Sequence, residues 1–563
     1  MTVFTMTFDP ADVDSILPVL NALLERPIDS PSALKQWLAD LCEVDVALDE
    51  CYSRRYIAHT CHTDDAELEK AYLHMVQVVM PALKPVFFEL QKKFLACPHR
   101  DAISDPKLTQ LARLWQAEVD LYREPNIALQ VRETELSTQY GKLCGEMLVD
   151  FDGRTLTLQQ LARYLEETDR DVRQRAWELS TNRRLQDREA IDEIYDKLVS
   201  LRADIATNAD EADFRAYAWK MKKRFDYTPA DCTAFADAVA EVCVPLVSEL
   251  AQQRREALGV ESLRPWDQAV DPLGRAPLRP FAEDAIDDFV ARTHEAFTRI
   301  SPMLAERFSR LKMGEHLDLD SRKGKRPGGY QSSLEQSKQP FIFMNAVGVH
   351  RDVETLLHEG GHAFHYQAAC EEPISFLRHA PLEFCEVASM SMELLGDDHM
   401  NVFYESADAD RAKRVHLEGV ITILPWIATI DSVQRLIYPH PKHSRAERTA
   451  QWLTLLDRFM PHVDYSGYNA AREALWQKQL HLFGLPFYYI EYGIAQLGAL
   501  QVWQNYRDDP KQALADLERA FALGGTRPLP ELFEAAGIRF DFTARTMRPL
   551  IDAVREELAA LPV

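Results

Sequence analysis

The chain has 563 residues, 46% of them apolar, so it can bury a large core as a globular enzyme of two or three lobes. Its formal net charge of −24 would repel phosphate backbones and anionic membrane surfaces, so we expect neither nucleic acid nor membrane as a partner. The nine cysteines are scattered without a Cys-x-x-Cys pair. This pattern argues against a disulfide framework and favours a reducing compartment.

The N-terminal stretch MTVFTMTFDPADV contains no basic segment followed by an apolar core, so it predicts no secretory signal. The longest apolar stretch, at residues 420–430, is interrupted by Pro425 and is too short to span a bilayer. Both observations favour a cytoplasmic protein. The dense basic run Arg322–Arg326 is interpreted as a solvated loop, with a loop at the rim of a cleft as the alternative.

Most of the chain has the apolar spacing of amphipathic helices. Residues 155–165 predict one helix, in which Thr157 and Gln160 can form a capping box, and residues 191–201 predict another. Residues 259–280 are rich in Pro and Gly and predict a long connection. We therefore divide the chain into a helical N-terminal lobe, 1–205, and a catalytic lobe, 206–563.

The clearest strand signal lies between residues 328 and 346. Two segments, 328–333 and 341–346, flank a polar turn that contains Gln339 and Pro340, which predicts a β-hairpin. The next helix should begin near Asp352 as its N-cap, with Glu354 in the first turn.

That helix carries the sequence His358-Glu359-Gly360-Gly361-His362. Histidines four residues apart project from one helix face, so both can bind one zinc ion, while the intervening Glu359 can serve as general base toward water. The alternative is a pair of ordinary surface histidines. Two glycines inside a helix cost about 1 kcal/mol each relative to alanine, which predicts a close backbone approach on that side.

A catalytic zinc ion needs a third protein ligand and an open position. His365 lies seven residues after His358, nearly on the same face, whereas Glu386 lies on a second predicted helix, residues 382–393. Geometry favours Glu386, with His365 as a packing residue or a residue that orients a ligand. Glu393 could also orient a zinc ligand or be a solvated surface carboxylate.

The block Asn345–Glu393, with HEGGHAFH followed by LEFCEVASMSMEL, resembles the thimet oligopeptidase and oligoendopeptidase F family of zinc peptidases, in its oligoendopeptidase F-like branch. Gly324–Tyr330 and Pro265–Asp267 resemble further elements of that family, as does the region from Asp152 to Ala176. The resemblance implies that Glu386 is the third zinc ligand, with one zinc ion per chain.

The resemblance also implies a mainly α, two-lobed helical metallopeptidase with a deep central channel and a small β-hairpin beside the HExxH helix. A downstream His and Tyr cluster is expected to contact the substrate. Here His481 and Tyr492 are the first choice for stabilising the oxyanion, Tyr489 follows, and Tyr488 is the remaining candidate.

These features predict a zinc-dependent oligopeptidase that hydrolyses internal bonds of short unfolded peptides, with zinc-activated water and Glu359 as general base. The segment Phe341–Asn345 is expected to pair with the peptide as an added strand. The alternatives are a carboxypeptidase or dipeptidyl carboxypeptidase of the same chemistry, and a non-catalytic peptide-binding relative. The sequence predicts no particular oligomeric state.

Overall fold

The computed structural model describes residues 8–563, and most of these residues lie in helices, which confirms the mainly α fold. The helices are, in chain order, α1 Val13–Glu25, α2 Pro31–Cys61, α3 Ala66–His74, α4 Met80–Leu95, α5 Pro106–Leu121, α6 Glu124–Gly145, α7 Leu158–Ala162, α8 Arg170–Gln186, α9 Arg188–Asn208, α10 Phe214–Met221, α11 Pro229–Ala238, α12 Val244–Leu258, α13 Ile286–Ile300, α14 Pro302–Met313, α15 His350–Ala369, α16 Leu382–Asp397, α17 Ser406–Ile437, α18 Arg445–Phe459, α19 Asn469–Glu473, α20 Leu480–Gly484, α21 Tyr489–Asp508, α22 Pro510–Phe521, α23 Leu529–Ala535 and α24 Ala544–Ala560. The first seven residues of the stretch inspected for a secretory signal lie outside the described residues.

Within residues 8–563, the strands form two small sheets. One is an antiparallel hairpin of β1 Leu148–Phe151 and β2 Arg154–Thr157. The other has the order β3-β5-β4, where β3 is Leu317–Asp320, β4 is Tyr330–Leu334 and β5 is Gln339–Ala346. β5 runs parallel to β3 and antiparallel to β4.

The predicted hairpin at residues 328–346 is present as β4 and β5, with two corrections. Gln339 and Pro340 belong to β5 and pair with β4, so the turn is residues 335–338. β5 has neighbours on both sides, so the expected addition of a peptide to Phe341–Asn345 is wrong. Of the two hairpin strands, β4 lies at the edge of the sheet.

The chain divides into two compact units, each assembled from three segments. The first unit comprises residues 1–122, 279–412 and 498–540, and the second comprises 123–278, 413–497 and 541–563. The division of the sequence at residue 205 stays a prediction, and that residue lies inside the second unit.

In the part of the chain that the structure describes, two helical stretches are long and apolar enough, by length and composition alone, to cross a membrane. Ser406–Ile437 is mostly buried, as expected for a core helix, whereas Ala66–Leu95 is mostly accessible. The absence of a membrane partner stays a prediction.

Lys325 of the basic run is a buried structural residue of the first unit, whereas Lys323 and Arg326 are exposed, as expected for a solvated loop. The Lys325 ammonium is fully buried and donates to the carbonyl oxygens of Asp318, Asp320 and Met344 and to the Asp318 carboxylate, at 2.7–3.1 Å. These contacts join β3 to β5 through one side chain. The hydrogen bonds and cations around it outweigh the burial of Asp318 and hold the pKa of that carboxyl well below its usual range.

Candidate active site

Helix α15 begins two residues before the predicted N-cap. Asp352 lies in its first turn, and its carboxylate accepts from the backbone amides of Val347 at 2.8 Å and Val349 at 3.0 Å. The backbone amides just before a helix have no helical hydrogen-bond partner, so the carboxylate of an aspartate in the first turn can accept from them. The sheet strand β5 is thereby joined to α15 through a fixed connection.

The two glycines of α15 lie where neighbouring elements come closest. A Cβ atom on Gly361 would be 2.5 Å from the Ser389 Cα atom and 2.6 Å from the Ala388 carbonyl oxygen, both in α16. A Cβ atom on Gly360 would be 2.8 Å from the Phe297 ring. The predicted close backbone approach is therefore present, and it brings α16 against the histidine face of α15.

This contact brings three potential metal ligands together. His358 Nε2 lies 3.4 Å from Glu386 Oε2, and His362 Nε2 lies 3.7 Å from the same oxygen. Bonds of ~2.0–2.1 Å at tetrahedral angles would separate ligand atoms by about 3.3 Å. The donor set and its spacing fit a tetrahedral divalent metal such as zinc.

Glu393 orients one of these ligands. Its Oε1 lies 2.6 Å from His358 Nδ1, which leaves Nε2 directed at the ligand group. A carboxylate on the outer imidazole nitrogen fixes the ring and raises its basicity. Of the two roles open to Glu393, the structure supports ligand orientation over a solvated surface position.

His365 is not part of the ligand group. The side chain is buried and packs on Phe521, 4.9 Å between ring centroids, and on Phe384 at 5.7 Å. Burial lowers the pKa of His365 to about 3, so the imidazole is neutral. It serves as a packing residue on the side of α15 that contacts Phe384 and Phe521.

Burial also sets the charge of the motif residues. It lowers the pKa of His362 to about 4, which keeps the imidazole neutral and its lone pair available. Burial, with a smaller effect from Glu386, raises the pKa of Glu359 to about 7, although the backbone amide of Gln331 donates to it and opposes this. A carboxyl group with this pKa can exchange a proton near neutral pH.

The pairing of Gln331 also defines the orientation of β4. Ile342, which lies opposite Gln331 in the ladder, donates its amide to the His316 carbonyl oxygen at 2.9 Å, on the β3 side. The Gln331 amide therefore lies on the outer edge of β4, and its effect on the pKa of Glu359 indicates that this edge faces the general-base candidate. The sequence gives a signal for this strand but none for its contact with Glu359.

His481 and the three tyrosines form one cluster within the second unit. The His481 ring centroid lies 4.8 Å from that of Tyr489, 5.7 Å from that of Tyr488 and 6.2 Å from that of Tyr492. The Gln479 amide, 2.8 Å away, donates to His481 Nδ1, and its oxygen accepts from the Trp426 indole at 3.0 Å. No motif in the sequence indicates Gln479 or Trp426 as part of this cluster.

A buried ionic group fixes the turn that precedes these tyrosines. Phe487 has a φ of 61°, in the left-handed region that is costly for a bulky residue. The Arg224 guanidinium donates to the Phe487 carbonyl oxygen and, at 2.7 Å, to Glu491. The Phe487 amide in turn donates to the Gln434 side chain at 2.7 Å. These buried hydrogen bonds support the tyrosine cluster, and no local sequence pattern indicates them.

Known proteins resemble the chain over nearly its whole length. The model of peptidase family M3 matches residues 163–550, and that of the peptidase M3 N-terminal domain matches residues 4–122. A curated relative, an oligoendopeptidase F homolog from Mycoplasma pneumoniae, is 23% identical over 433 residues. This match covers 69% of the chain and 66% of the relative, which is just under two thirds of the relative's length.

Two solved structures share the whole fold. Pz peptidase A with an inhibitor is 28% identical, with a TM-score of 0.92 and 99% of each chain covered. A candidate oligoendopeptidase F from Bacillus anthracis str. Ames is 27% identical, with a TM-score of 0.87, and the match covers 99% of this chain and 98% of the other. Together with the site built on α15 and α16, these matches show that the chain belongs to peptidase family M3, a family of metallopeptidases, in its oligoendopeptidase F-like branch.

Proposed function

We propose that the chain is a zinc-dependent oligopeptidase that hydrolyses internal bonds of short, unfolded peptides. The observation that carries the proposal is the spacing of His358, His362 and Glu386 around one point, with Glu359 on the same helix. The nine cysteines of the chain are free thiols, which supports a reducing location such as the cytoplasm.

Zinc held by His358, His362 and Glu386 would supply Lewis-acid polarisation of the scissile carbonyl and of the attacking water. Glu359 accepts the proton of that water and delivers it to the leaving amine, a role that a pKa of about 7 supports. Glu393 keeps His358 in one orientation throughout.

The open edge of β4 is the proposed site for the peptide backbone. Its outward amide at Gln331 already lies against Glu359, so a peptide added along this edge would run past the general base. Main-chain pairing of this kind depends only weakly on the side chains of the substrate. His481 with Tyr492 or Tyr489 is proposed to donate hydrogen bonds to the developing oxyanion.

Activity and metal dependence test the proposal together. The purified protein should cleave short quenched peptides, lose this activity with a chelator, and recover it with zinc. Glu359→Gln should bind zinc but lose at least about 100-fold in kcat, as expected for removal of a general base. Glu371→Gln, a change to an exposed helix-end glutamate, is the matched control and should keep full activity. Undiminished turnover by zinc-loaded Glu359→Gln would exclude this mechanism.

A product map separates the competing functions. Mass spectrometry of one defined peptide, with free and with blocked ends, should show internal cleavage in both forms. Loss of cleavage when the C-terminus is blocked, with release of single residues or dipeptides, would indicate a carboxypeptidase or dipeptidyl carboxypeptidase. Stoichiometric zinc with no turnover on a broad peptide pool would indicate a non-catalytic peptide-binding protein.

A further inference from the structure

A lysine is tied to the His481 cluster through two shared side chains. Lys478 ends a 3-10 turn, Leu475–Lys478, three residues before His481. Its ammonium lies 5.5 Å from the centroid of the Trp426 ring. The Trp426 indole donates a hydrogen bond to the Gln479 side-chain oxygen, and the Gln479 amide donates one to His481. A group bound at the Lys478 ammonium would therefore lie in the same framework as the proposed oxyanion donor.

Lys478 has no counter-ion among the described residues. Its ammonium contacts the Trp426 ring and is repelled by Arg184, another cation without an ion pair in residues 8–563. The buried cations Lys325 and Arg224 differ in this respect, because each has a carboxylate within 3 Å.

The surroundings of Lys478 combine exposure with desolvation. The side chain is accessible to solvent, yet the protein around it, helped by Arg184, lowers its pKa to about 8. Because the side chain is accessible and has no carboxylate beside it in residues 8–563, an incoming anion can reach the ammonium without displacing a partner.

We propose that Lys478, supported by the positive charge of Arg184, binds a carboxylate of the peptide substrate. The inference rests on the proposed peptidase function and specifies its substrate class: peptides that present a free α-carboxylate or an acidic side chain beyond the scissile bond. An ammonium is a point charge without the planar fork of arginine, so it would recognise charge rather than one carboxylate geometry. No existing ion pair has to break when the carboxylate arrives.

Three quenched peptides of otherwise neutral sequence provide the test. The first ends in a free carboxylate, the second is its amide, and the third is an amide with one glutamate beyond the scissile bond. KM and kcat are measured for zinc-loaded wild type, Lys478→Met and Lys478→Arg. The control is Lys197→Met. Lys197 is an exposed lysine of the same unit and forms no ion pair within the described residues.

Lys478→Met should raise KM about tenfold for one or both carboxylate peptides, leave the neutral amide unchanged, and leave kcat nearly constant. Lys478→Arg should restore most of the affinity, and Lys197→Met should change nothing. An effect on the first peptide alone identifies the α-carboxylate, and an effect on the third alone identifies the acidic side chain. Equal loss on all three peptides, or no loss on any, overturns the proposal.

Calorimetric binding of the same peptides to zinc-loaded Glu359→Gln separates this inference from the peptidase proposal. If wild type cleaves nothing, the proposed function fails, while stronger binding of carboxylate peptides that depends on Lys478 would still support the site. If Lys478→Met does not fold, the comparison of amide with carboxylate peptides on the Glu359→Gln protein decides. Equal affinity for all three peptides would then overturn the inference.

Discussion

Two carboxylates of the first unit show how surroundings decide what an acidic residue does. Glu393 contacts an imidazole at 2.6 Å and is held in place by it. No cation among the residues that the structure describes is in hydrogen-bond contact with Asp45, which accepts a hydrogen bond of 2.6 Å from the Ser375 hydroxyl. The first residue is expected to matter for the metal and the second for stability.

Replacing Glu393 with glutamine should weaken zinc binding without unfolding the protein. The amide keeps the shape of the carboxylate but no longer raises the basicity of His358, so zinc affinity should fall 10- to 100-fold, roughly the effect of losing such an orienting partner. Competition with a fluorescent chelator measures this. Glu306→Gln on the exposed face of α14 should bind zinc normally, and unchanged affinity in Glu393→Gln would contradict the role.

Asp45 should make stability depend on pH. Burial, with Asp49 and Glu335 nearby, raises the pKa of Asp45 to about 7 despite the bond from Ser375. Because the folded pKa exceeds the unfolded one, Asp45 stabilises the fold when protonated, and this contribution is lost as the pH rises from about 4 through 7.

Asp45→Asn should therefore stabilise the protein relative to wild type more at pH 8.5 than at pH 5. The difference should grow by roughly 1–2 kcal/mol, measured by urea unfolding at both pH values. Asp29→Asn, at an exposed loop position, is the control and should show no such trend. A constant difference in unfolding free energy across this pH range would show that burial does not raise the pKa of Asp45.

At the scale of elements, the contact between α15 and α16 determines the site. Gly361 allows the two backbones to meet, and the ligands from both helices converge as a result. Alanine at this position would overlap with backbone atoms of α16, which no side-chain rotation can relieve.

Gly361→Ala should destabilise the protein by about 2–4 kcal/mol and lower zinc affinity, since α16 must shift away from α15. Gly419→Ala offers a matched control, because this glycine of α17 has no atoms within 4 Å of the added Cβ. It should stabilise the protein by up to about 1 kcal/mol through helix propensity alone. Similar thermal unfolding of both variants would contradict this explanation.

Local patterns predict the elements better than their connections. The histidine spacing predicts α15, and the capping box at Thr157 and Gln160 is present at the start of α7. The helix predicted from residue 155 begins too early, because residues 154–157 form β2. Asp152 and Gly153, with φ values of 49° and 77°, form a two-residue turn whose Asp-Gly sequence is itself a hairpin signal.

Long-range packing accounts for the rest. The sequence places Glu393 on the helix that carries Glu386, but only folding brings it to His358. Likewise, nothing in the residues near Lys325 indicates that its ammonium is buried among backbone carbonyls from β3 and β5. Charge patterns describe how residues could behave in water, whereas the contact of Glu393 joins residues 35 positions apart, and that of Lys325 gathers carbonyl oxygens from residues 5 to 19 positions away.

At the scale of the whole molecule, metal binding should stabilise the unit that holds the ligands. All three ligands belong to the first unit, and a ligand that binds only the folded form raises its stability by about 2.7 kcal/mol at 100 times its dissociation constant. Zinc added after chelation should therefore raise the unfolding temperature by several degrees in calorimetry. Glu386→Gln should show a much smaller shift, and an identical shift in that variant would place the metal elsewhere.

The segmented construction of the first unit has a consequence for its synthesis. Residues 279–412, with both metal-ligand helices, leave the ribosome long before residues 498–540. Phe521, which covers His365 behind α15, belongs to that last segment. We expect the nascent chain to remain inactive until almost all of it has been translated, so the order of translation itself delays hydrolysis until the enzyme is complete.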